Sequence, residues 1–193
     1  DKHLTPLCVA GSALVLAVDV TAAAVVLSAL NRVTLVGVLH AAGVLHDRML
    51  RFMACADLHV VYAPKAVASA HVHTAMAHAP CEALCVFSSV SSTFGNVGQA
   101  NYSAANAYLD ARVWSGRLHA LPGSSLQLPA VSGSGMGAAT FDIDQLDALG
   151  SISLDQFAAC LEAALSRGRS AAEHTQAALA GAVRESMEAA VPY

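Results

Sequence analysis

Ala83-Leu-Cys-Val-Phe-Ser-Ser-Val-Ser-Ser-Thr-Phe-Gly-Asn-Val-Gly-Gln-Ala-Asn-Tyr-Ser-Ala-Ala-Asn106 is the stretch on which the fold turns. Ala83 to Phe87 is an apolar run of strand length that ends abruptly in the serines Ser88 to Ser92. A helix is expected from Asn101 to about Arg117. The same order recurs on either side. Upstream, Ala13 to Val18 and Val33 to His40 are apolar runs of strand length, and downstream is Ser125 to Pro129. Helical segments are expected from Thr21 to about Asn31, with Asp19 or Thr21 as cap, and from Asp47 to Ala77, interrupted at Pro64. Two more are expected from Ser153 to Ser166 and from Ser170 to about Ala190. Strands apolar on both faces and alternating with helices predict an α/β fold, a doubly wound parallel sheet covered by helices on both sides. Ligands of such sheets bind at the carboxyl ends of the strands. Here those ends are Asp19, His40 to Gly43, Ser88 to Ser92, and Pro129 to the Gly-rich stretch Ser132 to Gly137.

Composition narrows the function. The chain has 193 residues, 55% hydrophobic and 12% charged, with a net charge of −4. That supports one ordinary core and excludes a disordered tail as its main character. Ten basic residues against fourteen acidic ones offer no basic face for nucleic acid. Leu7 to Leu30 is apolar enough to suggest a membrane span, but Asp19 lies in its middle, and a buried strand followed by a helix is the preferred reading. Five irregularly spaced cysteines argue for free thiols rather than a disulfide framework. His71, His73, His78, Cys81 and Cys85 fit no standard zinc spacing, so no metal site is expected.

The strand ends hold the chemistry. Tyr102 and Asn106 are four apart and share a helix face. Ser89 closes the preceding strand, and Lys65, one of two lysines, lies between the second and third apolar strands. A phenol with an ordinary pKa of about 10 is a poor proton donor or acceptor unless a nearby ammonium tunes it. Taken singly, each residue has an ordinary role: Ser89 as a turn cap, Tyr102 as a packed helix residue, Asn106 and Lys65 on the surface, Asp19 as a helix cap and Asp47 as an N-terminal helix acid.

Taken together, with His40-Ala-Ala-Gly-Val-Leu45, Ala63-Pro-Lys65, Phe87-Ser-Ser89 and Gly98-Gln-Ala-Asn-Tyr-Ser-Ala-Ala-Asn-Ala-Tyr-Leu-Asp110, the chain resembles the ketoreductase domain of modular polyketide and fatty-acid synthases, a branch of the short-chain dehydrogenase/reductase family. The Ser-to-Tyr spacing of 102 − 89 = 13 and the Lys-to-Ser spacing of 89 − 65 = 24 are those of that family. The resemblance implies a Rossmann-like fold in which Tyr102 donates a proton to a ketone oxygen and Ser89 hydrogen-bonds that oxygen. Lys65 lowers the Tyr102 pKa and contacts the nicotinamide ribose, and Asn106 completes the tetrad. It implies NADPH as cofactor, with Asp19, Val20, Ala41, Ala42, Gly43, Lys65 and Tyr102 lining it. The implied substrate is a β-ketoacyl thioester on acyl carrier protein, with neighbouring synthase domains as partners and the cytoplasm, or an organelle such as a plastid, as location. Asp47, Phe94, Asn101 and Met136 fall where the family controls substrate orientation. Asp47 and Asn101 lean toward the class giving a D-configured hydroxyl, although His46 and Val97 depart from it.

Two departures shape the expectation. No Thr-Gly-x-x-Gly-x-x-Gly phosphate loop occurs in the sequence, so the first two strands and the pyrophosphate cradle are expected to be missing and the Ala13 to Val18 strand to lack a neighbour. The segment after the late strand reads Leu128-Pro-Ala-Val-Ser132 instead of aromatic-Gly-Pro. Residues 1–168 are expected to form the partial ketoreductase domain and 169–193 a helix or linker. Alternatives are a non-catalytic bracing half of a synthase reductase, for which keeping the tetrad together has no reason, and a free-standing reductase of a small ketone.

Overall fold

A computed structural model describes residues 5–10, 13–17, 19–30, 37–78, 82–119, 121–132 and 150–166. Three strands form a parallel sheet in the order β3 (Gly37–His40), β4 (Ala83–Ser89), β5 (Ser124–Leu128). Gly37 to His40 pair with Ala83 to Val86, and Cys85 to Ser89 pair with Ser124 to Leu128. The central strand β4 is therefore sandwiched and sheds side chains alternately to the two faces.

Each face meets its own helices. Leu84 and Val86 pack with Val26 of α1 (Ala23–Leu30), Val72 and Ala75 of α3 (Ala68–His78), and Leu109 and Val113 of α5 (Ala100–Leu118). Cys85 instead packs with Leu126, Ile152 and Ala164, the last on α6 (Leu154–Ser166). Phe87 meets Phe157 of α6 edge-on, with ring centroids 5.7 Å apart. This is the doubly wound, Rossmann-like arrangement that the apolar strand pattern predicts.

Two expectations are revised. First, Ala13 to Val18 was expected to stand alone at the parallel sheet. It forms β2 (Ala13–Ala17), which pairs antiparallel with β1 (Thr5–Ala10) in a separate two-stranded sheet. Backbone donors and acceptors must be paired, and the nearest strand lies two residues upstream in sequence. Second, the helix expected from Asp47 begins only at Cys55: residues 41–49 are irregular and Leu50–Phe52 form one 3₁₀ turn before α2 (Cys55–Tyr62). Tertiary hydrogen bonds, described below, hold that segment open. The interruption expected at Pro64 is found: α2 ends at Tyr62 and a further helix, α3, starts at Ala68. Ala63–Val67 is a π-helical turn that joins α2 to α3, with Ala68 N–H reaching Ala63 O. A proline has no N–H to place in a regular ladder, and widening the turn accommodates it. The Gly-rich stretch 133–137, with Met136, and the helix expected at 170–190 lie outside the described residues.

Leu126 is fully buried between the sheet and α6, whereas Leu154 is half exposed. Leu126→Ala should lower unfolding free energy by about 2–5 kcal/mol in chemical denaturation, and Leu154→Ala by no more than about 0.5 kcal/mol.

Candidate active site

The carboxyl ends of β3 and β4 converge with the start of α5. Lys65 sits in the π turn, and its side chain is 2% exposed. Its Nζ donates to the backbone O of Phe87 at 2.9 Å and lies 5.3 Å from the centroid of the Tyr102 ring. Burial holds the ammonium down to about 8, against a smaller upward pull from the Asp110 carboxylate.

Two neighbours make room for this lysine. A Cβ on Gly43 would lie 2.9 Å from Lys65 Cε, so the chain leaving β3 can pass there only as glycine or by moving the lysine. His40, at the end of β3, places Nε2 3.1 Å from the backbone O of Lys65. A carbonyl only accepts, so the proton is assigned to Nε2. Burial lowers the His40 pKa and keeps the ring neutral.

Tyr102 and Asn106 occupy one buried face of α5. Asn106 Nδ2 donates to the Tyr102 backbone O at 2.9 Å, while its Oδ1 is buried without a partner among the described residues. Burial pushes the Tyr102 phenol up, with Asn106 and Ser89 pulling it down and Asp47 pushing it up. The net effect is a raised phenol that keeps its proton at neutral pH, so the lowering expected from Lys65 does not prevail: burial outweighs the groups that pull the phenol down. Ser89, the last residue of β4, also accepts from the Ser91 N–H at 3.2 Å. Its turn-capping role thus coexists with its place beside Tyr102.

Of the other sequence-derived residues, Asp47 accepts from Gln99 Nε2 at 2.9 Å. Asn101 is fully buried, and its Nδ2 donates to the backbone O of His46 at 2.8 Å and of Asp57 at 3.1 Å. Its Oδ1 accepts from the Tyr102 N–H at 2.8 Å. Asn101 thus ties the 45–48 segment to the first turn of α5. Arg48 N–H donates to Gly98 O at 2.7 Å, which joins the same segment to the 94–98 turn. Phe94 and Val97 are exposed at that turn. Ala41 is exposed and Ala42 half-buried after β3. Val20 packs against the α1–α3–α5 core. Asp19 Oδ1 accepts from Thr21 N at 2.9 Å and Oγ1 at 2.6 Å, so its carboxylate shapes the entry to α1.

Sequence reasoning missed Asp57. Its carboxylate accepts from Ala54 N–H at 2.8 Å and from His46 Nε2 at 2.7 Å, with Arg48 Nε at 3.6 Å. These partners, the Ala54 N–H first, hold it below the ordinary carboxylate range. An acid at the third position of a helix is the signal in the sequence, but Ala54 at the cap hides it. Asp110 was also passed over as anything more than part of the family motif, although it continues the spacing of Tyr102 and Asn106 by one more turn. Among the described residues no group of three or more His, Cys, Asp or Glu side chains is placed to hold a metal ion, and no helix is long and apolar enough to cross a membrane.

A parallel sheet with Ser, Tyr, Lys and Asn gathered at its carboxyl ends defines a Rossmann-like domain of the short-chain reductase type. Residues 7–133 match the KR domain family, and the chain belongs to it. It is 40% identical over 109 residues to the hybrid PKS-NRPS synthetase pyvA of Aspergillus violaceofuscus, covering 56% of this chain and 3% of that protein. It is 36% identical over 140 residues to the spectinabilin polyketide synthase system protein NorB of Streptomyces orinoci, covering 70% of this chain and 6% of that one. The chain thus spans a small fraction of these relatives. Among solved structures, the first ketoreductase of the tylosin PKS superposes with a TM-score of 0.71 at 26% identity, covering 88% of this chain and 42% of that one.

Asp57 is an acid with a depressed pKa in the folded state, so its stabilisation is present at neutral pH and lost as pH falls through the carboxylate range. Asp57→Asn should therefore be less stable than the parent at pH 7, and the two urea midpoints should converge as pH falls below the ordinary carboxylate range.

Proposed function

We propose that this chain carries the catalytic half of an NADPH-dependent β-ketoacyl reductase that acts on a thioester borne by acyl carrier protein, within a multidomain polyketide or fatty-acid synthase. The observation that supports it most is the convergence of Lys65, from between β3 and β4, with Tyr102 of α5 at the end of β4 where Ser89 sits. A bracing half would have no use for a buried lysine beside a buried tyrosine.

The residues divide the work. Tyr102 holds its proton at neutral pH and donates it to the ketone oxygen as that oxygen gains charge. Ser89 donates a second hydrogen bond to the same oxygen and so favours the developing alkoxide. The tyrosinate left behind lies beside the Lys65 ammonium, whose titration near pH 8 leaves it largely charged at pH 7. Asn106 fixes the turn of α5 that presents Tyr102. In this reading Ala41, Ala42 and Gly43, at the end of β3, line the nicotinamide ribose beside Lys65. NADPH supplies the hydride when bound there. Asp19 and Val20 form the adenine side of that reading. Asp47, Phe94, Asn101 and Met136 belong to substrate orientation, with the D-configured 3-hydroxyl as product.

The test is NADPH oxidation with a β-ketoacyl thioester, run on this chain and on a chain extended upstream through a phosphate loop. Tyr102→Phe should lower turnover by about a hundred- to ten-thousand-fold. Turnover should fall as pH rises through about 8, where Lys65 loses its charge. No turnover from the extended chain would replace this reading with the bracing role. Gly43→Ala should lower both thermal stability and turnover, because its Cβ would displace the buried end of Lys65 from its bond to the Phe87 carbonyl.

A further inference from the structure

Residues 45–48 meet the start of α5 one by one. Leu45 packs against the cluster of Val61, Tyr102 and Ala105. The His46 carbonyl accepts from Asn101 Nδ2 at 2.8 Å, and Asp47 Oδ2 accepts from Gln99 Nε2 at 2.9 Å. Arg48 N–H donates to Gly98 O at 2.7 Å. A Cβ on Gly98 would lie 3.8 Å from Arg48 N and 3.9 Å from Asp47 Cβ, so the two segments run in contact. Residues 45–48 are thus one wall beside Tyr102. The wall has no regular ladder, and Asp47 and Arg48 are exposed. A segment held by so few bonds opens locally unless something outside it ties it down.

The His46 side chain supplies that tie. Its Nε2 lies 2.7 Å from Asp57 Oδ1, in the first turn of α2. A carboxylate accepts, so the ring proton is assigned to Nε2. Asp57 is itself fixed: Oδ2 accepts from Ala54 N–H at 2.8 Å, and its carbonyl accepts from Asn101 Nδ2 at 3.1 Å. The bonds close a circuit. It runs from the His46 ring to the Asp57 carboxylate, from the Asp57 carbonyl to Asn101, and from Asn101 back to the His46 carbonyl. Loop, α2 and α5 each contribute one member. Asn101 and Asp57 are buried, whereas the His46 side chain is 43% exposed. His46 therefore closes the circuit from the solvent side, and truncating it empties no core. Arg48 Nε, at 3.6 Å from Asp57 Oδ2, is too far for a strong hydrogen bond and does not replace it.

We infer that His46 is a positioning residue: through Asp57 it holds the 45–48 wall against Tyr102. The inference rests on the reductase reading for its purpose, but not for its test. An ionised acceptor makes the stronger hydrogen bond, which suits a single side-chain contact to this task. What the position requires is an N–H directed at Asp57, so another donor of the same reach serves in its place.

Two NMR readouts on this chain test it. Hydrogen exchange at the Arg48 amide reports the wall. Tyrosine labelled with 13C at Cζ reports the site: the chain has four tyrosines, and Tyr102→Phe identifies the Tyr102 signal. His46→Ala should speed exchange at Arg48 by about tenfold or more and shift the Tyr102 signal. It should leave the Val86 amide of the central strand β4 unchanged. His46→Gln, whose amide nitrogen reaches the place of Nε2, should restore both readouts. Exchange at Arg48 in His46→Ala that matches the parent overturns the inference. So does faster exchange with an unmoved Tyr102 signal, which would make the pair a loop latch alone. Equal acceleration at Arg48 and Val86, or failure of His46→Ala to fold, would make His46 a residue of global stability and reject the positioning role. His46→Gln behaving as His46→Ala would reject the hydrogen bond as its means. None of these readouts needs turnover, so an inactive extended chain would reject the reductase reading and leave the place of His46 beside Tyr102 standing.

Discussion

The buried Lys65 ammonium is the constraint on which the rest of the site depends. Removing an ammonium from water is expensive unless hydrogen bonds and opposite charge replace its hydration. Each neighbour answers part of that demand. The Phe87 carbonyl accepts from Nζ, the Tyr102 ring presents its face, and the Asp110 carboxylate opposes the charge. The demand reaches into the backbone as well. Pro64 and Lys65 share a π turn, and Gly43 has no side chain to obstruct the lysine's end. His40 anchors the lysine's own carbonyl, which ties the chain end of β3 to the π turn.

A second set of polar bonds frames the site from outside. Asn101 and Asp57 send their side chains to the backbone of the 46–57 segment and to His46. That segment has little regular structure of its own, and its large apolar residues Leu50 and Phe52 are exposed. Its order therefore comes from polar anchoring, not from burial. The anchoring also explains why Asn101, adjacent to Tyr102, is fully buried at the start of the helix: one side chain bonds the His46 and Asp57 carbonyls and the Tyr102 amide.

The parallel strands were legible because burial on both faces leaves continuous apolar runs, as in Ala83 to Phe87, and because the change to serine at Ser88 marks the strand end. The α5 and α6 helices were legible to within a residue at each end, since regular composition and periodicity carry local structure. The start of α2 was not, because hydrogen bonds from Asn101 and Asp57 override the helical composition of residues 47–54. The β1–β2 hairpin was missed for a related reason: strand pairing is a matter of partner availability, and an apolar run alone does not name its partner.

The sequence by itself determined which residue types stand at the strand ends and in what spacing, and with them the family. Those are local properties: the 13-residue step from Ser89 to Tyr102 spans one strand-to-helix turn, and the four-residue steps to Asn106 and Asp110 follow the helical repeat. Only the tertiary structure decided that Lys65 is buried, that Gly43 lies against it, that Asp57 holds the 46–54 segment, and that Asp110 meets Ser92, Ser125 and Gln127. Gly43 with Lys65, and Asp110 with Ser92, Ser125 and Gln127, join residues well separated in the chain, and a charge's environment is set by what packs around it in space, which no local pattern records.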